Sequence, residues 1–176
     1  FAAGWFVSTA MAAHLPRLLE SAGATTAQAI TAASLVGPAQ VAARVLEASF
    51  LSRYHPLVSA RLSTLTHPVG AGALLIGGGW LAMPFTLLHG AGNGIFTIAR
   101  GTVPLAVFGP ENYGYRLGLL GAPARILQAG APIAFGLLID QFGAQALIFS
   151  SLTCMAATAA LLAITGSQSQ TKKDEP

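Results

Sequence analysis

The chain has 176 residues, of which 53% are hydrophobic and only 9% are charged, with a net charge of +3 and a mean hydropathy of +0.63. Soluble domains carry about 25% charged residues, so this composition excludes an ordinary water-soluble domain and indicates lipid as the solvent for much of the chain. Both lysines, Lys172 and Lys173, lie in the tail, and the arginines are scattered, so no nucleic-acid surface is predicted.

Apolar segments recur along residues 1–165 at a length and spacing that predict six transmembrane helices packed in one bundle. The first covers residues 1–20, and its apolar run before His14 is shorter than the about 20 residues that span a bilayer. We therefore expect the beginning of this helix to be missing and the chain to be the C-terminal part of a longer protein. The other five are predicted at residues 26–51, 57–77, 80–107, 117–142 and 145–165.

The first loop predicts a helix start, because Thr25 or Thr26 can cap the second helix. Along that helix, polar side chains recur at steps of three and four, and Gln40 is a candidate solute ligand. Arg44 and Glu47 follow on the same face and predict a structural or gating ion pair.

The fourth helix carries the polar residues on which the functional prediction depends. Thr86, Asn93, Thr97 and Arg100 fall on one helical face, with His89 beside it. A cation inside a membrane helix costs at least about 2.5–3.5 kcal/mol, so it must face protein or water. Arg100 is a candidate for binding an anionic solute, with a partner elsewhere as the structural alternative. Asn93 is either a solute ligand or a hydrogen bond between helices.

Two further polar side chains lie one turn apart in the fifth helix. Arg125 and Gln128 are candidate solute-binding residues, with the same structural alternatives. In the first helix, Trp5 is either an interfacial anchor or an aromatic residue in a cavity wall. The tail at 166–176 is polar and is predicted to be disordered.

Loop charge gives the expected orientation. One side of the predicted bundle carries Arg53, Arg61, Arg116, Lys172 and Lys173, whereas the loops of the other side hold only Arg17. By the positive-inside rule, the loops at 52–60 and 109–116 and the C-terminus lie in the cytoplasm.

Several chemistries are not expected. Gly90, Gly92 and Gly94 lack the spacing of a nucleotide loop and indicate close helix packing instead. The histidines are dispersed, with no metal-ligand spacing, and no serine-protease motif of the rhomboid type is present. We expect no cofactor, no metal and no catalytic residues.

Residues 89–109 (HGAGNGIFTIARGTVPLAVFG) and 130–149 (GAPIAFGLLIDQFGAQALIF) resemble helix ten and the corner between helices eleven and twelve of the major facilitator superfamily. The basic loop after the second helix falls where that family has its Gly-x-x-x-Asp-Arg-x-Gly-Arg-Arg motif. Here Ala43 stands for the glycine and Glu47 for the aspartate. The span count and topology agree with the family as well.

The resemblance implies the C-terminal six-helix half of a twelve-helix carrier, built as a 3+3 inverted repeat, in a bacterial cytoplasmic membrane. A small solute, anionic if Arg100 binds it, would cross by alternating access. The other partner would be the missing N-terminal six-helix half. The alternative is a self-contained six-span protein, either a channel-like oligomer or an intramembrane enzyme.

Overall fold

Helices account for most of residues 1–171, the part of the chain that the computed structural model describes, with backbone alone for 165–171. Seven α-helices form in this part of the chain. They are α1 (Ala2–Ser21), α2 (Thr26–Ser34), α3 (Val36–Ser49), α4 (Pro56–Gly77), α5 (Ala82–Phe108), α6 (Tyr113–Phe142) and α7 (Ala146–Thr171).

Local chemistry sets several of the helix boundaries. Thr25 forms a capping box, in which its Oγ1 accepts from the Gln28 backbone N–H and Gln28 Oε1 accepts from the Thr25 backbone N–H. This confirms the predicted cap. At α4, the His55 side chain accepts from the Leu57 backbone N–H, and Pro56 occupies the first turn, where no backbone N–H is needed.

Two short 3₁₀ helices turn the chain between long helices. Gly78–Leu81 joins α4 to α5, and Gly143–Gln145 joins α6 to α7. Gly78 has φ +67 and Gly143 has φ +54, a region that side chains rarely adopt. Each pair of long helices is therefore connected by a tight glycine turn.

The helices α4 and α5 pack antiparallel along their length. The Gly70 position lies against Phe85, and His67 contacts His89 further along the pair. Toward the other end, Leu57 and Val103 belong to one apolar cluster. The two helices therefore form a hairpin around the Gly78 turn.

Three buried glycines let α5 approach its neighbours closely. A Cβ at Gly90 would lie 2.9 Å from the Ala39 Cβ of α3, and one at Gly94 would lie 2.5 Å from the Gln40 carbonyl oxygen. A Cβ at Gly92 would lie 2.9 Å from the Ser63 carbonyl oxygen of α4. The predicted packing role of these glycines is confirmed.

The helices α1 and α6 are held together by polar contacts as well as by the main apolar core. Arg17 forms a salt bridge with Asp140, and the His14 ring donates to the Pro132 carbonyl oxygen at 2.7 Å. The Gly136 position lies against the His14 ring, which leaves no room for a larger side chain there without a shift.

Three helical segments among the described residues are long and apolar enough to cross a membrane: Thr26–Arg53, Pro56–Phe108 and Tyr113–Ile164. Many large apolar side chains on them point outward, including Ile76, Ile126 and Ile133. Such a surface is compatible with a membrane-embedded protein, since lipid rather than water solvates apolar side chains there.

The predicted six transmembrane helices, and with them the half of a twelve-helix fold, are wrong for this structure, because three membrane-length segments are found rather than six. The predicted third and fourth spans fall in one segment and the fifth and sixth in another, because 3₁₀ turns rather than polar loops join them. The first predicted span is not among the segments, because its last turns carry polar residues such as His14, Arg17 and Glu20.

Two predictions connected with the six spans change as well. The cytoplasmic assignment relied on alternating loops across six spans and loses that basis. The chain is helical to Thr171, six residues beyond the predicted end of the bundle at 165, and residues 172–176 of the predicted disordered tail lie outside the described residues.

Candidate functional site

Two adjoining pockets lie between α5 and the pair formed by α1 and α6. One has a volume of about 240 Å³ and the other about 360 Å³, and Trp5, Thr97 and Arg100 line both. Asn93 and Gln128 line the smaller one and Arg125 the larger. Four of the five predicted solute-binding residues therefore surround one connected polar region.

Helix α5 supplies one wall of both pockets. Asn93, Thr97 and Arg100 follow one another at steps of four and three residues, which places them on one face. The Thr97 hydroxyl donates to the Asn93 carbonyl oxygen at 2.9 Å, and the Arg100 Nε–H donates to the Thr97 carbonyl oxygen at 3.3 Å. These local bonds fix the rotamers of both side chains.

Helix α1 supplies the opposite wall. The Arg100 guanidinium carbon lies 4.7 Å from the Trp5 ring centroid, within the range of a cation–π interaction. The Ser8 hydroxyl donates to Asn93 Oδ1 at 2.7 Å. Trp5 is thus an aromatic residue of a cavity wall, one of the two alternatives that the sequence left open.

Helix α6 contributes the remaining predicted residues. Gln128 is half-buried, whereas the Arg125 side chain is exposed. Arg125 therefore faces the open part of the larger pocket.

The charge of the two pockets is positive. Arg100 and Arg125 line them, and no carboxylate is among their lining residues. Within residues 1–164, the salt bridge that forms is Arg17–Asp140, outside both pockets. The region therefore offers unneutralised guanidinium groups, which suits an anionic ligand.

The structure places Gln40 and the predicted ion pair differently from expectation. Gln40 lines neither pocket, and its Oε1 accepts from Arg44 Nη2 at 3.4 Å. Arg44 Nη2 also lies 3.5 Å from the Thr97 hydroxyl, and its Nε is buried without a partner. Glu47 is buried and accepts from the Ser59 hydroxyl at 3.2 Å.

The expected Arg44–Glu47 pair is therefore replaced by two separate sets of contacts. Arg44 turns toward α5, and Glu47 turns toward α4. A third guanidinium thus lies behind Thr97 of the pocket wall, and only the packing of α3 on α5 brings it there.

A larger, apolar cavity lies elsewhere in the bundle. It has a volume of about 460 Å³ and is lined mostly by apolar residues of α1, α4, α5 and α7, such as Phe96, Val107 and Leu161. Such a lining suits acyl chains, whereas a small polar solute needs fixed polar groups to orient it. The two polar pockets are therefore the candidate site.

Sequence reasoning missed two contributors to the site. Ser8 and Thr9 line the smaller pocket together with Trp5, at helical steps of three and four. That spacing of polar residues in an otherwise apolar helix was the available signal. In comparisons with known proteins, no family model, curated protein or solved structure matches the chain.

Proposed function

We propose that this protein is a membrane-embedded carrier that binds a small organic anion between α1, α5 and α6 and moves it across the bilayer. The observation that carries the proposal is the position of Arg100. Its guanidinium lies over Trp5, lines both polar pockets and has no acidic partner among their lining residues.

The charge of Arg100 is costly to hold among membrane helices. A guanidinium at membrane depth is expensive and is retained where it faces a cavity, a partner or a ligand. The Nε–H of Arg100 donates to the Thr97 carbonyl oxygen, and the other N–H groups of the guanidinium are left to bind a ligand. A carboxylate or sulfonate would accept two of them side by side.

The lining of the pockets supports transport rather than catalysis. The polar lining consists of groups that donate hydrogen bonds and hold charge, such as Ser8, Asn93 and Gln128. The resemblance of residues 130–149 to the major facilitator superfamily supports a carrier. We further propose a bacterial cytoplasmic membrane, with the C-terminus on the cytoplasmic side because Lys172 and Lys173 follow the last apolar segment. Because Arg125 is exposed, we propose that further helices of the same protein complete the larger pocket.

The test uses Trp5 as a fluorescent reporter in the full chain. The chain has two tryptophans. Trp80 is 88% exposed and lies in the 3₁₀ turn between α4 and α5, outside both polar pockets. In a Trp80→Phe background, Trp5 alone reports on the pockets. We would titrate benzenesulfonate, benzenesulfonamide and benzylamine, which share a ring and carry a negative, a neutral and a positive group.

We expect benzenesulfonate to change the Trp5 emission at lower concentration than the other two probes. Arg100→Gln should remove that preference, whereas the matched control Arg116→Gln should keep it, because Arg116 lies over Phe108 outside both polar pockets. Equal responses to the three probes would contradict the proposed site. So would a loss of the preference for benzenesulfonate in Arg116→Gln but not in Arg100→Gln. Uptake of labelled benzenesulfonate into proteoliposomes then tests movement.

A further inference from the structure

Two histidines face each other in the interior of the helix hairpin. His67 on α4 and His89 on α5 are 3% and 5% exposed, and their Nδ1 atoms lie 3.0 Å apart. In a neutral imidazole, one ring nitrogen donates and the other accepts. One of the two Nδ1 atoms must therefore carry the proton of this hydrogen bond.

A neighbouring serine favours one of the two arrangements. The Ser150 hydroxyl donates to the Leu147 carbonyl oxygen at 3.0 Å, and it lies 2.9 Å from His67 Nε2. We assign the single hydroxyl proton to the Leu147 carbonyl oxygen, so that Ser150 accepts from the Nε2–H of His67. The Nδ1 of His67 is then the acceptor, and the Nδ1–H of His89 donates to it.

This assignment leaves His89 Nε2 as the acceptor nitrogen of the pair, and the hydrogen bonds of residues 1–164 include none to it. His89 lines a cavity of about 30 Å³ between α1, α4, α5 and α7. That volume has room for one water molecule, and Ser8, Ser63 and Asn93 supply polar partners for it.

We propose that the His67–His89 pair is a proton-binding site that couples proton movement to movement of the anion, an inference that rests on the proposed carrier function. The proton passes from water in the small cavity to the lone pair of His89 Nε2 and returns by the same route. The pair holds one extra proton and not two, because a second would set two Nδ1–H donors against each other.

The surroundings leave the added charge without a counter-charge. Of the residues that line the cavity, Cys154 on α7 is the one titratable side chain besides the two histidines, and none carries a permanent charge. From α1 the facing residues are Gly4, Val7 and Ser8. A proton on His89 therefore adds a full positive charge to this part of the bundle.

The small cavity borders the anion pocket. Ser8, Asn93 and Phe96 line both, and Asn93 lies one turn of α5 from His89, about 6 Å along the axis. A proton on His89 thus attracts an anion in the pocket. By linkage, a bound anion strengthens proton binding to the same degree.

The first measurement needs neither a ligand nor a variant at the site. ¹⁵N-labelled histidine in the full chain, reconstituted in a bilayer, reports the protonated nitrogen of each ring by NMR. We expect His89 to carry its proton on Nδ1 and His67 on Nε2, and acidification to add one proton to the pair, at His89 Nε2. Two independent protonations, or a His89 that carries its proton on Nε2 before acidification, would overturn the site.

The second measurement is the affinity for benzenesulfonate, a probe that stays ionised, at several pH values, read from Trp5 in the Trp80→Phe background. Acidification should raise affinity on the order of tenfold, because two unit charges this close attract strongly at the dielectric of a partly buried site. His89→Gln keeps a donor toward His67 and should remove the pH dependence. His55→Gln, at the exposed start of α4, should retain it.

The two measurements separate this inference from the proposed function. If benzenesulfonate fails to bind at every pH, the anion site is wrong, and the NMR assignment alone decides whether the pair binds a proton. If the anion binds with the same affinity at every pH, or if His89→Gln keeps the pH dependence, coupling through this pair is overturned while the anion site stands.

Discussion

The guanidinium of Arg100 lies 4.7 Å from the ring centroid of Trp5, and this contact joins α5 to α1 in the lining that both polar pockets share. A cation–π contact of this kind stabilises by about 0.5–2 kcal/mol, depending on how far it is desolvated. It holds the charge in place while leaving the edge of the guanidinium available. Trp5 therefore positions the group that we assign to anion binding.

Replacing Arg100 by Lys tests the shape of that group as well as its charge. A lysine keeps the positive charge but loses the planar fork that donates two parallel hydrogen bonds to a sulfonate. We expect benzenesulfonate affinity to fall roughly 10- to 100-fold, the effect of losing one hydrogen bond to a charged group. Arg116→Lys should leave it unchanged, and the titration of Trp5 emission measures both. If Arg100→Lys binds benzenesulfonate as tightly as the unchanged protein does, a positive charge without the planar fork is enough for binding.

Replacing Trp5 separates the aromatic face from the rest of the pocket. Phenylalanine retains a ring, whereas alanine removes the surface against which Arg100 lies. We expect uptake of benzenesulfonate into proteoliposomes to fall modestly in Trp5→Phe and severely in Trp5→Ala. Trp80→Ala is the control, because Trp80 lies outside both pockets. Uptake that is equal in Trp5→Ala and Trp80→Ala would remove Trp5 from the site.

Two glycines in helices offer a matched test of close packing. An added Cβ at Gly94 would meet the Gln40 backbone at 2.5 Å, whereas one at Gly72 of α4 meets nothing within 4 Å. Gly94→Ala should destabilise the fold by about 1–3 kcal/mol through overpacking. Gly72→Ala should stabilise it by up to about 1 kcal/mol through helix propensity. Thermal unfolding in detergent, followed by circular dichroism, distinguishes them, and a shift of the same sign in both would contradict the packing of α3 on α5.

The Arg17–Asp140 salt bridge should matter little for stability. Its side chains are 50% and 56% exposed, and exposed pairs contribute about 0–1 kcal/mol. A double-mutant cycle with Arg17→Gln and Asp140→Asn should give a coupling energy in that range, which decreases as salt is added. A larger coupling that resists salt would show that this end of α1 and α6 is shielded from water.

Much of the candidate site could be predicted from the sequence, because one α5 face brings Asn93, Thr97 and Arg100 together through helical spacing alone. The placement of Trp5 against Arg100 could not, since it depends on how α1 packs against α5. The His67–His89 contact was missed for the same reason, because it joins two helices across a turn.

The predicted helix boundaries were close where caps and glycine turns set them, as at Thr25 and Gly143. The span count failed where the prediction needed polar loops and the chain instead has 3₁₀ turns. The predicted Arg44–Glu47 ion pair does not form, because Arg44 contacts Thr97 of α5 and Glu47 accepts from Ser59 of α4.

The three glycines of α5 carry a mechanical implication. The backbone of α5 packs closely against α3 at Gly90 and Gly94 and against α4 at Gly92, so there is no free space on these two sides of the helix. Its backbone position is therefore fixed by two neighbouring helices, and a molecule that enters the polar pockets meets Asn93, Thr97 and Arg100 along a rigid wall.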